Sequence, residues 1–135
     1  MREIRVQAVL DNLDTVISFI EEELERAECP LGIVMKINLS VEEIFVNIAN
    51  YAYEDHVGEA VIRTEIRENP HSIRITFIDY GVPYDPTALP EPDVSLSAEE
   101  RKIGGLGIFL VRKNMDSMTY EYKDGSNILV IEKNI

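Results

Sequence analysis

Cysteine, basic residues and long apolar runs are all scarce in this chain of 135 residues. The single cysteine, Cys29, has no partner for an internal disulfide, so the cysteine content does not point to secretion. With 13 Lys and Arg against 25 Asp and Glu, the formal net charge of −12 argues against nucleic acids and anionic membranes as general partners. No apolar run approaches the roughly 18 residues of a membrane span, and the N-terminal segment lacks a signal-peptide core. We therefore expect a cytoplasmic protein.

Several common catalytic motifs are missing as well. There is no GxxxxGK[ST] phosphate loop, no GxSxG nucleophile elbow and no His or Cys cluster with zinc spacing. The GGLG run follows no predicted strand and lacks the third glycine of a dinucleotide fingerprint. Apolar residues make up 45% and charged residues 28%, which is ordinary for a globular protein, and the length predicts one domain over residues 1–135.

Hydrophobic spacing predicts the order strand, helix, helix, strand, strand, loop, helix, strand, strand. The predicted strands are 2–9, 60–67, 72–79, 118–123 and 127–133, and the predicted helices begin at Asp11 or Asn12, at Leu31 (running to Tyr53) and after the GGLG glycines. Residues 80–102 hold four of the 6 prolines and no periodicity, which is typical of a functional or disordered loop. This order contains few β-α-β crossovers. It therefore predicts an α+β two-layer sandwich with helices on one face of a mainly antiparallel mixed sheet.

The first candidate site is a carboxylate and an amide on the second helix. Glu43 and Asn47 are four residues apart, so their side chains lie one above the other on the face opposite the apolar stripe. An amide oxygen can bind a hard cation while a neighbouring carboxylate accepts a proton. The alternative is a solvent-facing Glu and Asn with no special role.

The second candidate is Asp79, at the end of a strand whose apolar residues are Ile73, Ile75 and Phe77. A period of two places Asp79 on the same, core-facing side, where a carboxylate needs partners. A ligand amine or a bound water would serve, and Gly81 permits a close approach of the backbone to a ring. The alternative is an aspartate that caps a turn.

The third candidate is the run Gly104, Gly105, Leu106 and Gly107, which opens a helix just after Arg101 and Lys102. Exposed amides and the helix dipole at such a start bind anions. The alternative is a flexible hinge. In order along the chain, the three candidates offer a base, a metal ligand, an acceptor for a ring and a phosphate cradle, which are the parts of a nucleoside triphosphate site.

Three motifs carry a resemblance to a known family over essentially the whole chain. VEEIFVNIANYAY resembles the N-box of the Bergerat-fold (GHKL) ATPases and kinases, IDYGVPYDP resembles their first glycine box, and GGLGIFLVRKNMDSMTYE resembles their second. Within that superfamily the chain is most similar to the anti-sigma factor serine/threonine kinases. It departs from the usual pattern at Pro83 and at Tyr51-Ala52, which stand in place of a glycine and of His-Gly.

The resemblance implies a role for each candidate residue. Glu43 would be the general base, Asn47 the Mg²⁺ ligand and Asp79 the acceptor for the adenine amino group, with Gly81 beside the base. Gly105 and Gly107 would meet the phosphates of ATP, and residues 84–103 would form the ATP lid.

The resemblance also implies an activity and partners. The expected protein is an ATP- and Mg²⁺-dependent serine/threonine kinase that binds a sigma factor, phosphorylates a STAS-domain antagonist and forms a homodimer. Two alternatives stay open: a catalytically silent nucleotide-binding switch, and a simple ATPase of the same superfamily. An intact Glu43 favours the kinase over the switch, and the shortness of the chain disfavours the ATPase.

Overall fold

The computed structural model describes residues 1–88 and 105–135, which contain five strands and three α-helices. They are β1 (Arg2–Gln7), α1 (Leu13–Arg26), α2 (Leu31–Asn47), β2 (Glu59–Arg67), β3 (Ser72–Asp79), α3 (Gly105–Asn114), β4 (Ser117–Lys123) and β5 (Ser126–Asn134). The predicted order of elements is confirmed. Most of the predicted lid, 84–103, lies outside the described residues, as do Arg101, Lys102 and Gly104.

The strands form one sheet in the order β1-β2-β3-β5-β4. Every pairing among the described strands is antiparallel, so the sheet is purely antiparallel there rather than mixed. Alternate strand residues and the apolar stripes of the helices share one core, including Ile20, Leu24, Ile37, Phe45, Ile62, Ile75, Phe77 and Ile131. The predicted α+β two-layer sandwich is confirmed. Within residues 1–88 and 105–135, no helix has the length and apolar character needed to cross a membrane.

The second helix ends differently from its prediction. Spacing predicts one helix from Leu31 to Tyr53, whereas α2 ends at Asn47 and a π-helical turn follows over Ile48–Ala52. The Ala52 carbonyl oxygen accepts a hydrogen bond from the Val82 amide at 2.9 Å, so this wider turn is joined to the chain after β3. Periodicity within a helix cannot report such a contact, because the partner lies 30 residues further along the sequence.

His71 joins the β2–β3 hairpin to the end of α1. Its Nε2 lies 2.9 Å from the Ala27 carbonyl oxygen and its Nδ1 lies 2.9 Å from Glu68 Oε2. The Ala27 carbonyl and then the Glu68 carboxylate, with a smaller contribution from Glu28, raise the pKa of His71 above its ordinary value. Both contacts suit the doubly protonated ring, in which both nitrogens donate.

This contact predicts a pH-dependent stability. Because the folded pKa of His71 is raised, its contribution is complete below the unfolded value of about 6.5 and is lost as the pH rises through the folded value. We expect His71→Gln to lower the free energy of unfolding more at about pH 6 than at about pH 8. Urea denaturation at both pH values measures this, with His56→Gln in the exposed loop as the control. Equal losses at the two pH values would contradict the assignment.

Candidate functional site

A pocket opens between the C-terminal half of α2 and the inner face of β3, β4 and β5. It is lined by Ile44, Asn47, Ile48, Tyr51, Ala52, Phe77, Asp79, Val82, Tyr84, Pro86, Tyr120, Asn127 and Leu129. Apolar and aromatic side chains dominate this lining and only a few polar groups converge on it, as is usual in sites for small organic ligands. Tyr51 and Ala52, where the chain departs from the usual N-box, are both in the wall.

Asp79 is the charged group in this pocket. Its side chain faces inward, as the period of two predicts, and the residue is 6% exposed. The Asp79 Oδ1 atom accepts hydrogen bonds from Asn127 Nδ2 at 2.8 Å and from the Gly81 amide at 3.0 Å. Burial raises the pKa of Asp79, while these two hydrogen bonds act in the opposite direction by stabilising the carboxylate.

Asn127 lies directly opposite Asp79 in the sheet, and its side chain hydrogen-bonds to the other polar groups at that end of the pocket. Its Nδ2 also donates to the Val82 carbonyl at 2.9 Å, and its Oδ1 accepts from the Tyr84 amide at 3.2 Å and the Tyr120 hydroxyl at 2.5 Å. Asn127 is not among the residues predicted for the site. The pattern that predicts an inward-facing Asp79 also applies to Asn127, because Asn127 alternates with the buried Leu129 and Ile131 on one face of β5.

Removing this amide should destabilise the fold. Asn127→Ala leaves Asp79, the Val82 carbonyl, the Tyr84 amide and the Tyr120 hydroxyl each without one partner. Since a buried polar group left unpaired costs about 1–3 kcal/mol, we expect the free energy of unfolding to fall by at least about 2 kcal/mol. Urea denaturation measures this loss. Asn134→Ala, at the exposed end of β5, is the control, and equal stability of the two variants would contradict the role of Asn127.

Glu43 and Asn47 lie one turn apart on α2, on a half-buried face of the helix. Asn47 lines the pocket, whereas Glu43 faces the first turn of α3. A Cβ atom at Gly107 would lie 2.1 Å from Glu43 Oε2, so a larger residue there would displace the Glu43 carboxylate. The neighbouring Glu42 is exposed. The fold therefore brings Glu43, the carboxylate of the predicted pair, close to one of the predicted glycines.

Gly81 has a different neighbour from the one expected. A Cβ atom at this position would lie 2.0 Å from the carbonyl oxygen of Ala52, so the missing side chain makes room for the π-helical turn. The close approach that glycine permits is thus made by the protein's own backbone. The role of Gly81 beside a bound base stays a prediction.

Gly105, Leu106 and Gly107 are the first three residues of α3, so the helix begins at the predicted glycines. The start of a helix carries unpaired amides and a positive partial charge, which suits phosphate oxygens. Within the described residues, no group of three or more His, Cys, Asp and Glu side chains is arranged to hold a metal ion. Asn47, in the pocket wall, offers a side-chain oxygen of the kind that Mg²⁺ accepts as a ligand.

Several known proteins are similar to this chain in sequence. The serine/threonine-protein kinase BtrW of Bordetella bronchiseptica is 28% identical over 95 residues, which are 70% of this chain and 66% of BtrW. The serine-protein kinase RsbW of Bacillus thuringiensis is 29% identical over 98 residues, 70% of this chain and 60% of RsbW. The chain thus spans about 60–66% of the length of these relatives.

Solved structures and a family model give the fold and the family. The RsbU and RsbW domains of a Mycobacterium tuberculosis protein match with a TM-score of 0.67 at 12% identity, over 99% of this chain and 32% of that one. The histidine kinase domain of a blue-light-activated kinase of Erythrobacter litoralis matches with a TM-score of 0.57 at 20% identity, over 78% of this chain and 46% of that one. The model of the histidine kinase-like ATPase domain matches residues 6–133. The chain therefore belongs to the histidine kinase-like ATPase domain family.

Proposed function

We propose that this protein is an ATP- and Mg²⁺-dependent serine/threonine kinase that acts as an anti-sigma factor in the cytoplasm. Its substrate is a STAS-domain antagonist, and its other partner is a sigma factor. The names of two relatives, a serine/threonine-protein kinase and a serine-protein kinase, support the class of reaction. The partners follow from the resemblance of the three motifs to the anti-sigma factor kinases.

One observation carries the proposal: two successive turns of α2 reach the pocket and the start of α3. Asn47 lies in the wall of the pocket that contains Asp79, and Glu43, one turn earlier, contacts the start of α3 at Gly107. A ligand with a flat ring at one end and several phosphates at the other fits this arrangement. The acceptor in the pocket would meet the ring, and the glycines of α3 would meet the phosphates.

Adenine recognition would rest on the unequal use of the two oxygens of Asp79. The Asn127 amide and the Gly81 amide both donate to Oδ1, so the carboxylate is held in one orientation. The other oxygen is the acceptor for the amino group of adenine, directly or through a water. The apolar wall, which includes Ile48, Phe77 and Leu129, would pack against the ring.

Phosphoryl transfer depends mainly on positioning and on neutralising charge. Bound Mg²⁺ supplies charge neutralisation at the phosphates, and Asn47 is the side chain that would hold it. Glu43 orients the serine or threonine hydroxyl of the partner and accepts its proton as the new oxygen–phosphorus bond forms and the bond to ADP breaks. Gly105 and Gly107 bind the phosphate oxygens through backbone amides.

The transferred phosphate would change which partner is bound. A phosphate on the antagonist adds about −2 charge at neutral pH and would weaken that complex, because the kinase itself is strongly acidic. The sigma factor would then compete successfully for a homodimer of the kinase. Such a cycle makes the ratio of the two complexes depend on phosphorylation.

The direct test is transfer from γ-labelled ATP to a purified STAS-domain protein. We expect label on a serine or threonine of the STAS protein, and no label when that residue is replaced by alanine. A protein that binds Mg-ATP, transfers no label and still changes its affinity for partners would support the alternative, a silent nucleotide-binding switch. Release of inorganic phosphate without any labelled protein would support a simple ATPase.

A further inference from the structure

The Tyr53 hydroxyl, which follows the π-helical turn, joins two other parts of the backbone behind Asp79. It donates a hydrogen bond to the Glu59 carbonyl at the start of β2, at 2.6 Å. It accepts one from the Tyr80 amide, just after β3, at 2.8 Å. A phenol has one hydrogen to donate, and this one is used in the first contact. The hydroxyl therefore connects the end of the helical segment to the start of β2 and to the residue after β3.

Three successive amides after β3 each have an acceptor. The Tyr80 amide donates to the Tyr53 hydroxyl, the Gly81 amide to Asp79 Oδ1 and the Val82 amide to the Ala52 carbonyl. The two outer acceptors come from neighbouring residues, 52 and 53. Since the Gly81 amide lies between them, its direction toward Asp79 depends on both being in place.

The Tyr53 ring is held in place by its neighbours. It packs against the hydrophobic core, and a Cβ atom at Gly58 would lie 2.1 Å from its Cζ atom, so a larger residue at position 58 would displace the ring. Gly58 is itself held, because its carbonyl accepts from the Ala8 amide at 2.8 Å. Burial raises the pKa of Tyr53, so the phenol keeps the hydrogen that it donates to Glu59.

We infer that Tyr53 is a positioning residue for adenine recognition. Its hydroxyl holds residues 80–82 so that the Gly81 amide engages one oxygen of Asp79 and leaves the other for the amino group of the base. Tyr53 does not line the pocket that holds Asp79. The inference rests on the proposed nucleotide site, and it adds a residue that acts on this site from behind the pocket.

The first test needs no nucleotide. Tyr53→Phe removes the hydroxyl and keeps the ring, and Tyr80→Phe makes the same change at the residue whose amide Tyr53 holds. Amide hydrogen exchange should be at least about tenfold faster at residues 80–82 in Tyr53→Phe, since one hydrogen bond of about 1.4 kcal/mol accounts for a factor of ten. Exchange at Ile75, in the middle of β3, should stay unchanged in both variants.

The second test uses two nucleotides. Inosine triphosphate carries an oxygen where ATP carries the amino group, so it lacks the donor that Asp79 accepts. We expect Tyr53→Phe to weaken ATP binding by about tenfold and to leave the weaker inosine triphosphate binding nearly unchanged. Gly58→Ala, which displaces the ring, should also reduce the preference for ATP over inosine triphosphate. Tyr80→Phe should keep the wild-type preference. Titration calorimetry on the wild type and the three variants measures both affinities.

The outcomes separate this inference from the proposed function. A wild-type protein that binds neither nucleotide would overturn the proposed function. Unchanged exchange at residues 80–82 in Tyr53→Phe would overturn the role of Tyr53 alone. An equal loss of affinity for both nucleotides would also overturn it, because that result means a general loss of structure rather than a misplaced acceptor.

Discussion

Glu43→Gln should lower phosphoryl transfer to the partner by about 10²–10⁴-fold, the usual loss when a positioned general base is removed. The affinity for Mg-ATP should stay close to that of the wild type, because Asp79, Asn47 and the glycines of α3 remain. Glutamine has the shape of glutamate and keeps an oxygen for the contact with Gly107, so α3 should keep its place. Single-turnover phosphate incorporation measures the loss, and calorimetry measures the affinity.

Glu42→Gln is the matched control, since it makes the same change one residue away on the exposed side of α2. It should transfer phosphate at the wild-type rate. Transfer at that rate by Glu43→Gln would remove Glu43 from the mechanism. Loss of ATP binding in Glu43→Gln would instead mean that Glu43 binds the metal ion or supports the fold. That result would favour the nucleotide switch over the kinase.

Asp79→Asn should abolish ATP binding and leave the fold intact. The Asn127 and Gly81 amides both donate to the Oδ1 position, so the amide oxygen of the new side chain must take that place. Its NH₂ group then points at the base, where two donors face each other. Wild-type protein at a hundredfold excess of Mg-ATP over Kd should gain about 2.7 kcal/mol of stability by linkage, and this gain should disappear in the variant.

Thermal unfolding with and without Mg-ATP measures this gain. Asp11→Asn, which changes an exposed carboxylate before α1, is the control and should keep the full shift. The variant without nucleotide should unfold close to the wild-type temperature, because its two hydrogen bonds to Asn127 and Gly81 persist. A full ATP-dependent shift in Asp79→Asn would contradict the assignment of Asp79 as the adenine acceptor.

The sequence alone determined the fold class and the local direction of the main side chains. Alternation in 72–79 predicted that Asp79 faces inward with Ile73, Ile75 and Phe77, because a strand has a period of two. Helical spacing likewise put Glu43 and Asn47 on one face of α2. These are local consequences of backbone geometry, and each needs only the residues of its own element.

Tertiary structure alone decided which elements meet. Three contacts join residues far apart in the chain: Glu43 with Gly107, the hydrogen bond from Asn127 to Asp79, and Ala52 with Gly81. The π-helical turn and the hydrogen bonds of Tyr53 are of the same kind, since their partners lie on β2 and beyond β3. Periodicity specifies the face of an element but not its neighbour across the core, because that neighbour is set by how the sheet and the helices pack together.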